Sequence, residues 1–336
     1  MIIPQLLLSI FAVVAAAMVS AAMTGAIRPW LLRHALAKPN ARSSHRIPTP
    51  QGAGIAVIGA TLVVAGAIAA YADAVNLNVV IAIFAASLFM AIVGFADDVK
   101  SIPVLPRLIL QAVAIGALLF TASNDLRIVP ACPLWIERGL LLLAGLWFVN
   151  LVNFMDGLDW MTVVEVVPIT CALVLLGGLG ELLPSTTVIA AALGGAIVGF
   201  APFNRPVAKV FLGDVGSLPI GLLLGWLLLE LAHRQHFTAA VLLPLYYLAD
   251  ATVTLARRSA RGEPVWAAHR SHFYQQATEN GFSVLRVVSE VFALNIGLAA
   301  LAVASTLTES VAIKTLLLAF GGFAVALLLH RFSRRL

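Results

Sequence analysis

Apolar residues in this chain come in long runs separated by short polar segments. The runs fall at about 3–26, 53–72, 76–95, 106–122, 139–155, 160–179, 185–201, 216–233, 238–256, 284–304 and 310–330. Each is near the ~20 residues a helix needs to cross ~30 Å of hydrocarbon. The pattern predicts an all-α, polytopic integral membrane protein of about eleven transmembrane helices, forming a single domain over residues 1–336. The first run has no Lys or Arg before Arg28, so it lacks the basic start of a cleavable signal peptide and reads as a retained helix.

Composition agrees with that pattern. With 61% hydrophobic and 11% charged residues and a mean hydropathy of +1.00, the chain has more apolar surface than one soluble core buries. The basic residues then set the orientation. With the loops assigned alternately to two sides, seventeen of the 21 Lys and Arg fall on the side opposite the N-terminus. The exceptions are Arg127, Arg138, Arg234 and Lys314. This bias predicts an N-terminus outside and a C-terminus in the cytoplasm. The net charge of +5 therefore reflects loops beside an anionic leaflet, and no nucleic-acid partner is expected. Cys132 and Cys171 lie at different depths, which argues against a disulfide.

The polar residues gather in five loops on the basic side, at 38–54, 97–107, 150–160, 204–217 and 257–276. A transporter would hold its ionisable groups near the midplane, often in repeated halves; here they sit at helix ends on one face. The stretch GFADDVKSIP places Asp97 beside Asp98 at the end of an apolar run. Two adjacent carboxylates repel one another and resist desolvation, so they must face water, a cation or a partner that accepts negative charge.

In NLVNFMDGLDW, Asn150, Asn153, Asp156 and Asp159 recur every third residue and would share a helix face, with Gly157 able to end that helix. In NRPVAKVFLGDVGS, Gly213 and Gly216 bracket Asp214 ahead of Ser217. A tight loop entering a helix there would offer N–H groups to phosphate, and a carboxylate beside such a cradle calls for a divalent cation, Mg²⁺ foremost. The last loop carries His269, Arg270 and His272, donors suited to phosphate or nucleotide. Arg257, Arg258 and Arg261 read as solvated or lipid-facing.

The order DD, NxxNxxDGxD, FxGDxGSxxxG and a His-containing loop, over about residues 38–276, resembles the polyprenyl-phosphate N-acetylhexosamine-1-phosphate transferases. The ending HRSHFYQ is more similar to the bacterial branch that initiates O-antigen and related surface polysaccharides than to the peptidoglycan translocase. The resemblance implies an enzyme of the inner membrane with its active site facing the cytoplasm. Its partners would be undecaprenyl phosphate, a UDP-N-acetylhexosamine and membrane lipid, with UMP released. It implies Mg²⁺, with Mn²⁺ as a substitute, held by Asp214 and Asn153. Asp97, Asp98 and His272 would be catalytic, Asp97 acting either as a base or as a positioning group. Asn150, Asp156, Gly157, Leu158, Asp159, Asn204, Lys209, Ser217, His269 and Arg270 would contact substrate. Trp160 and Met161 stand where family members often have Gly-Leu, which would reshape that pocket. The competing expectations are a flippase or transporter of lipid-linked sugars and an inactive scaffold; a homo-oligomer is left open.

Overall fold

A computed structural model describes residues 2–37, 48–71, 77–264 and 269–336. Residues 38–47 of the first polar loop lie outside the described residues. The described residues are mostly helical, in the order α1 (Ile2–His34), α2 (Gly54–Tyr71), α3 (Leu77–Val99), α4 (Val104–Thr121), α5 (Leu134–Met155), α6 (Met161–Gly178) and α7 (Pro184–Asn204). There follow α8 (Asp214–His233), α9 (Phe237–Leu242), α10 (Leu245–Ala260), α11 (Phe273–Glu279), α12 (Val284–Thr306) and α13 (Val311–Phe332).

Among the described residues, nine helices are long and apolar enough to cross a membrane: α1, α3 to α8, α12 and α13. The apolar stretch of α2, Gly54–Ala70, is slightly shorter. The run at 238–256, expected as one span, is instead two helices that meet at Leu243 and Pro244. Proline supplies no N–H and crowds the preceding turn, so it interrupts a run that hydropathy alone reads as continuous.

α7 and α8 form the buried centre, flanked by α1 along α7 and α3 along α8. The outer helices α1, α4 and α13 expose large apolar side chains such as Phe11, Phe120, Leu316 and Phe320. Such surface is stable in hydrocarbon and not in water. One close approach matters for the site. A Cβ built on Gly94 of α3 would overlap the Asp214 backbone at the start of α8. The missing side chain lets α3 lie directly against α8, which sets Asp97 and Asp98, one turn further on, beside the α8 N-terminus.

The chain entering α2 closes the same end. β1 (Leu36–Ala37) pairs antiparallel with β2 (Thr49–Pro50), and the next residue, Gln51, bridges to Phe211. Phe211 N–H donates to Pro50 O at 2.8 Å and Gly54 N–H to Leu212 O at 2.8 Å. The polar loops before α2 and before α8 are therefore stitched together.

Candidate active site

The two adjacent aspartates take different partners. Asp98 turns to α8: one carboxylate oxygen accepts the Asp214 N–H at 2.9 Å, the other the Val215 N–H at 3.0 Å, and Gln51 Nε2 donates to it as well. The N–H groups of Gly216 and Ser217 donate to Gly213 O. The α8 N-terminus, expected from the sequence to cradle a phosphate, is thus filled by the protein's own carboxylate. A helix N-terminus carries partial positive charge and unpaired N–H groups, and a carboxylate satisfies both as a phosphate would.

Asp97 faces the other way. Its oxygens accept the Ile102 N–H at 2.6 Å and Arg107 Nη1 at 2.8 Å. The same Arg107 nitrogen lies 3.8 Å from Asp214 Oδ2, so one guanidinium stands between two carboxylates. Asn153 Nδ2 donates to Asp214 Oδ1 at 2.7 Å and to Ser217 Oγ at 2.9 Å. The Asp214 side chain is 25% exposed against 8% for Asp97, so Asp214 is the more accessible of these two carboxylates.

The NLVNFMDGLDW string is divided by the end of α5 at Met155. Asn150 and Asn153 lie on the helix, but Asn150 is buried and donates to Gln111 of α4 at 2.6 Å, which makes it a clamp between helices. Asp156 lies just past the helix end and accepts from the Thr162 hydroxyl. Asp159 is buried and accepts the Ala208 N–H at 2.9 Å; Asn204 is buried, accepting the Trp160 N–H at 2.8 Å and donating to Val210 O at 3.1 Å. These two brace the loop before α8. Trp160 holds a left-handed backbone (φ 63°), fixed through that N–H and through its indole donating to Ala201 O at 2.7 Å. Leu158 is buried, Ser217 is buried against Asn153, and Lys209 is exposed on the α7–α8 loop.

Burial raises Asp156 to a pKa of about 7; Thr162 opposes the rise, and the charges of Asp98 and Asp159 add to it. Between the ordinary carboxylate value and about 7 the folded protein holds a proton that the unfolded chain has released. The stability from this group is therefore present at low pH and lost as pH rises through about 7. In EDTA, the unfolding temperature should fall between about pH 5 and pH 8, and Asp156→Asn should flatten that fall. An unchanged pH profile in the variant would refute this.

The His loop is built on a residue the sequence reading passed over. Asp250 of α10 is fully buried, and its carboxylate accepts from His272 Nδ1 at 3.1 Å, Phe273 N–H at 3.0 Å, Tyr274 N–H at 3.2 Å, Tyr246 OH at 3.3 Å and Thr254 Oγ1 at 3.2 Å. A carboxylate only accepts, so Nδ1 of His272 carries the hydrogen and Nε2 is left for another partner. His272 stacks on Tyr274 with ring centres 5.7 Å apart, and His269 lies 5.0 Å away. Tyr274 OH donates to Phe154 O at 3.0 Å, tying this loop to the end of α5. Gly157 permits that contact, because a Cβ there would overlap the Tyr274 hydroxyl. Arg270 is partly buried and pairs with Glu279 at 3.5 Å.

A family model described as glycosyl transferase family 4 matches residues 80–232, the stretch from α3 through α8 that supplies every member of the aspartate cluster. The glycosyl transferase family 4 match takes in a little under half of the chain. It is similar to the decaprenyl-phosphate N-acetylglucosaminephosphotransferase of Mycobacterium tuberculosis, 27% identical with 87% of this chain and 81% of that protein covered. A probable undecaprenyl-phosphate N-acetylglucosaminyl 1-phosphate transferase of Bacillus subtilis is 27% identical, with 74% and 71% covered. The phospho-N-acetylmuramoyl-pentapeptide-transferase of Streptococcus thermophilus is 38% identical, but over only 32% of this chain and 31% of its own. The protein is an enzyme, a sugar-phosphate transferase embedded in the membrane through many helices.

Within the site, the sequence reading missed Arg107, Gln51 and Asp250, and each had a visible signal. Arg107 and Gln51 lie in two of the polar loops already singled out, and Asp250 is a lone acid inside an apolar run. No set of three or more His, Cys, Asp or Glu among the described residues is arranged to hold a metal ion by itself. Mg²⁺ does not require such a cage: it is commonly held by one or two carboxylates together with the phosphates of a substrate. The Asp214 carboxylate and the Asn153 amide oxygen are donors of that oxygen type.

Proposed function

We propose that this enzyme transfers N-acetylhexosamine 1-phosphate from a UDP-sugar to undecaprenyl phosphate, giving undecaprenyl-diphosphate-sugar and UMP. The observation that carries this reading is the convergence of Asp97, Asp98, Asp214 and Arg107 at the ends of α3, α4 and α8, where a lipid phosphate from the bilayer can meet a soluble nucleotide. In the reaction an oxygen of the lipid phosphate bonds to the phosphorus bearing the sugar. The bond from that phosphorus to the bridging oxygen breaks, and the oxygen leaves with UMP. A lipid phosphate whose second pKa is near 6 is largely dianionic at neutral pH, so no base is needed. Positioning and charge neutralisation are what the protein must supply.

Asp214 and Asn153 would hold Mg²⁺, which would supply charge neutralisation for the diphosphate. Asp97 serves as a positioning group: both its oxygens are engaged, and it holds Arg107 toward the phosphates. Asp98 fixes the start of α8, where Asp214 stands. His272, oriented by Asp250 at Nδ1, turns Nε2 toward the diphosphate, to which it donates as the imidazolium. Gly157, Leu158 and Asp159 shape the nucleotide pocket, and Lys209 and His269 supply donors at its edge. Coverage favours an N-acetylglucosamine-type donor over the muramoyl pentapeptide: the M. tuberculosis relative aligns with 87% of the chain, the pentapeptide transferases with between 32% and 62% of it. The loop HRSHFYQ favours initiation of O-antigen or a related envelope polysaccharide.

The test is a radiolabelled assay of the purified protein with undecaprenyl phosphate and a panel of UDP-amino sugars. Label should enter a lipid fraction with release of UMP for an N-acetylhexosamine donor. No lipid product from any donor would refute the reaction.

The proposed topology has eleven crossings, with α2 and the α9–α10 pair completing the nine long helices. The N-terminus is outside, and the motif loops and active site face the cytoplasm of the bacterial inner membrane. Reporter fusions after residues 101 and 124 should report opposite compartments, with 101 cytoplasmic. A cytoplasmic signal from both would overturn the map.

A further inference from the structure

A cavity of about 430 Å³ lies between the last turn of α10, the loop leading to α11 and the end of α13. None of its walls belongs to the aspartate cluster. Four arginines line it, Arg257, Arg258, Arg261 and Arg270, with Glu279 the only acid among the lining residues. The sequence assigns the first three to solvent or lipid; Arg257 and Arg261 are exposed, but Arg258 is buried. Arg257 lies over the Phe273 ring at 4.7 Å. Arg258 is buried, with Nη1 donating to Ser271 Oγ at 3.2 Å and Nη2 to Pro264 O at 3.0 Å, and Glu263 pairs with it at 2.7 Å. Among the described residues, Arg258 Nε is nevertheless buried without a hydrogen-bond partner.

Four guanidinium groups around one small cavity repel one another, and a buried N–H without an acceptor is costly. An anion with several acceptor oxygens relieves both. Guanidinium forks match phosphate geometry in particular, and basic pockets among membrane helices suit lipid head groups. We propose that this cavity is a second anion site, which takes the phosphate group of a ligand other than the two reacting substrates, either an anionic lipid headgroup or free phosphate. The site also bears on the catalytic loop. Ser271 and Phe273, gripped by Arg258 and Arg257, are the residues on either side of His272. A bound phosphate would hold the arginines and, through them, the backbone on both sides of that histidine.

The experiment follows the unfolding temperature of the full-length protein in phosphatidylcholine nanodiscs at constant ionic strength. One arm adds inorganic phosphate; the other replaces part of the phosphatidylcholine with phosphatidylglycerol. A saturable rise of about 2 °C or more in either arm is expected. A rise in the lipid arm alone identifies a headgroup, and a rise with inorganic phosphate identifies free phosphate. The rise should vanish in Arg257→Gln/Arg261→Gln and persist in Asp214→Ala, so it stands or falls apart from the transferase reading. Should the double variant fail to fold, Arg261→Gln alone, at an exposed position, should raise the half-saturating concentration about tenfold. No rise in either arm, an equal rise in the folded variant, or loss of the rise on saturation with UDP-sugar would overturn the proposal.

Discussion

Asp214→Ala is expected to lower turnover about a thousandfold or more while leaving a folded protein in the membrane. The two effects separate because Asp214 contributes to the fold through its backbone and to the site through its side chain. Its N–H caps α8 through Asp98, and alanine retains that N–H. Its carboxylate, held by Asn153 on one oxygen and standing 3.8 Å from Arg107 on the other, is more exposed than that of Asp97. Asp214→Asn keeps the shape and removes the charge, and should be impaired nearly as severely. Excess EDTA should stop the wild type reversibly. The checks are turnover of labelled donor and elution of the variant as a single folded species. Full activity in EDTA, or an asparagine variant within tenfold of wild type, would show that charge at this position is not needed.

Asp250→Asn should cost about a hundredfold to a thousandfold in turnover, although Asp250 lies outside the matched family region. Five donors converge on this carboxylate. An amide turns one acceptor into a donor, so at least one of those groups loses its partner. The Nδ1–H of His272 can then no longer be fixed as it was, and the nitrogen facing substrate changes character. Stability should fall as well, by about 1–3 kcal/mol for each buried donor left unpaired. Turnover measured beside thermal unfolding separates the two effects. Wild-type turnover in a destabilised Asp250→Asn would leave Asp250 a purely structural role.

The hydrophobic runs carried most of the fold because membrane spans are a local property: length and apolarity within one segment suffice. Pro244 shows where that ends, since hydropathy averages over a backbone break that one residue causes. The adjacency of Asp97 and Asp98 was also informative, because successive helical positions point about 100° apart and the pair duly takes separate partners. Their identities could not be read locally. Asp98 meets amides 116 and 117 residues away, and Asp250 meets His272 across 22. The every-third-residue stripe failed at Met155, where the helix stops, and Asn150 turned to Gln111 of a neighbouring helix. Asp250 had the clearest overlooked signal: an acid within an apolar run needs buried partners, and the nearby His-containing loop supplies them.

The Asp98 cap has a thermodynamic consequence. Because the positive end of α8 is already neutralised from within, a diphosphate arriving in the proposed reaction would gain little from the helix and would draw its affinity from a cation and from arginine. Metal and donor should therefore bind as linked ligands: saturating either tightens the other by the same factor, whichever is added first. An enzyme built this way would hold its nucleotide loosely in metal-poor conditions, and its apparent affinity for the donor would track the supply of free divalent cation in the cell.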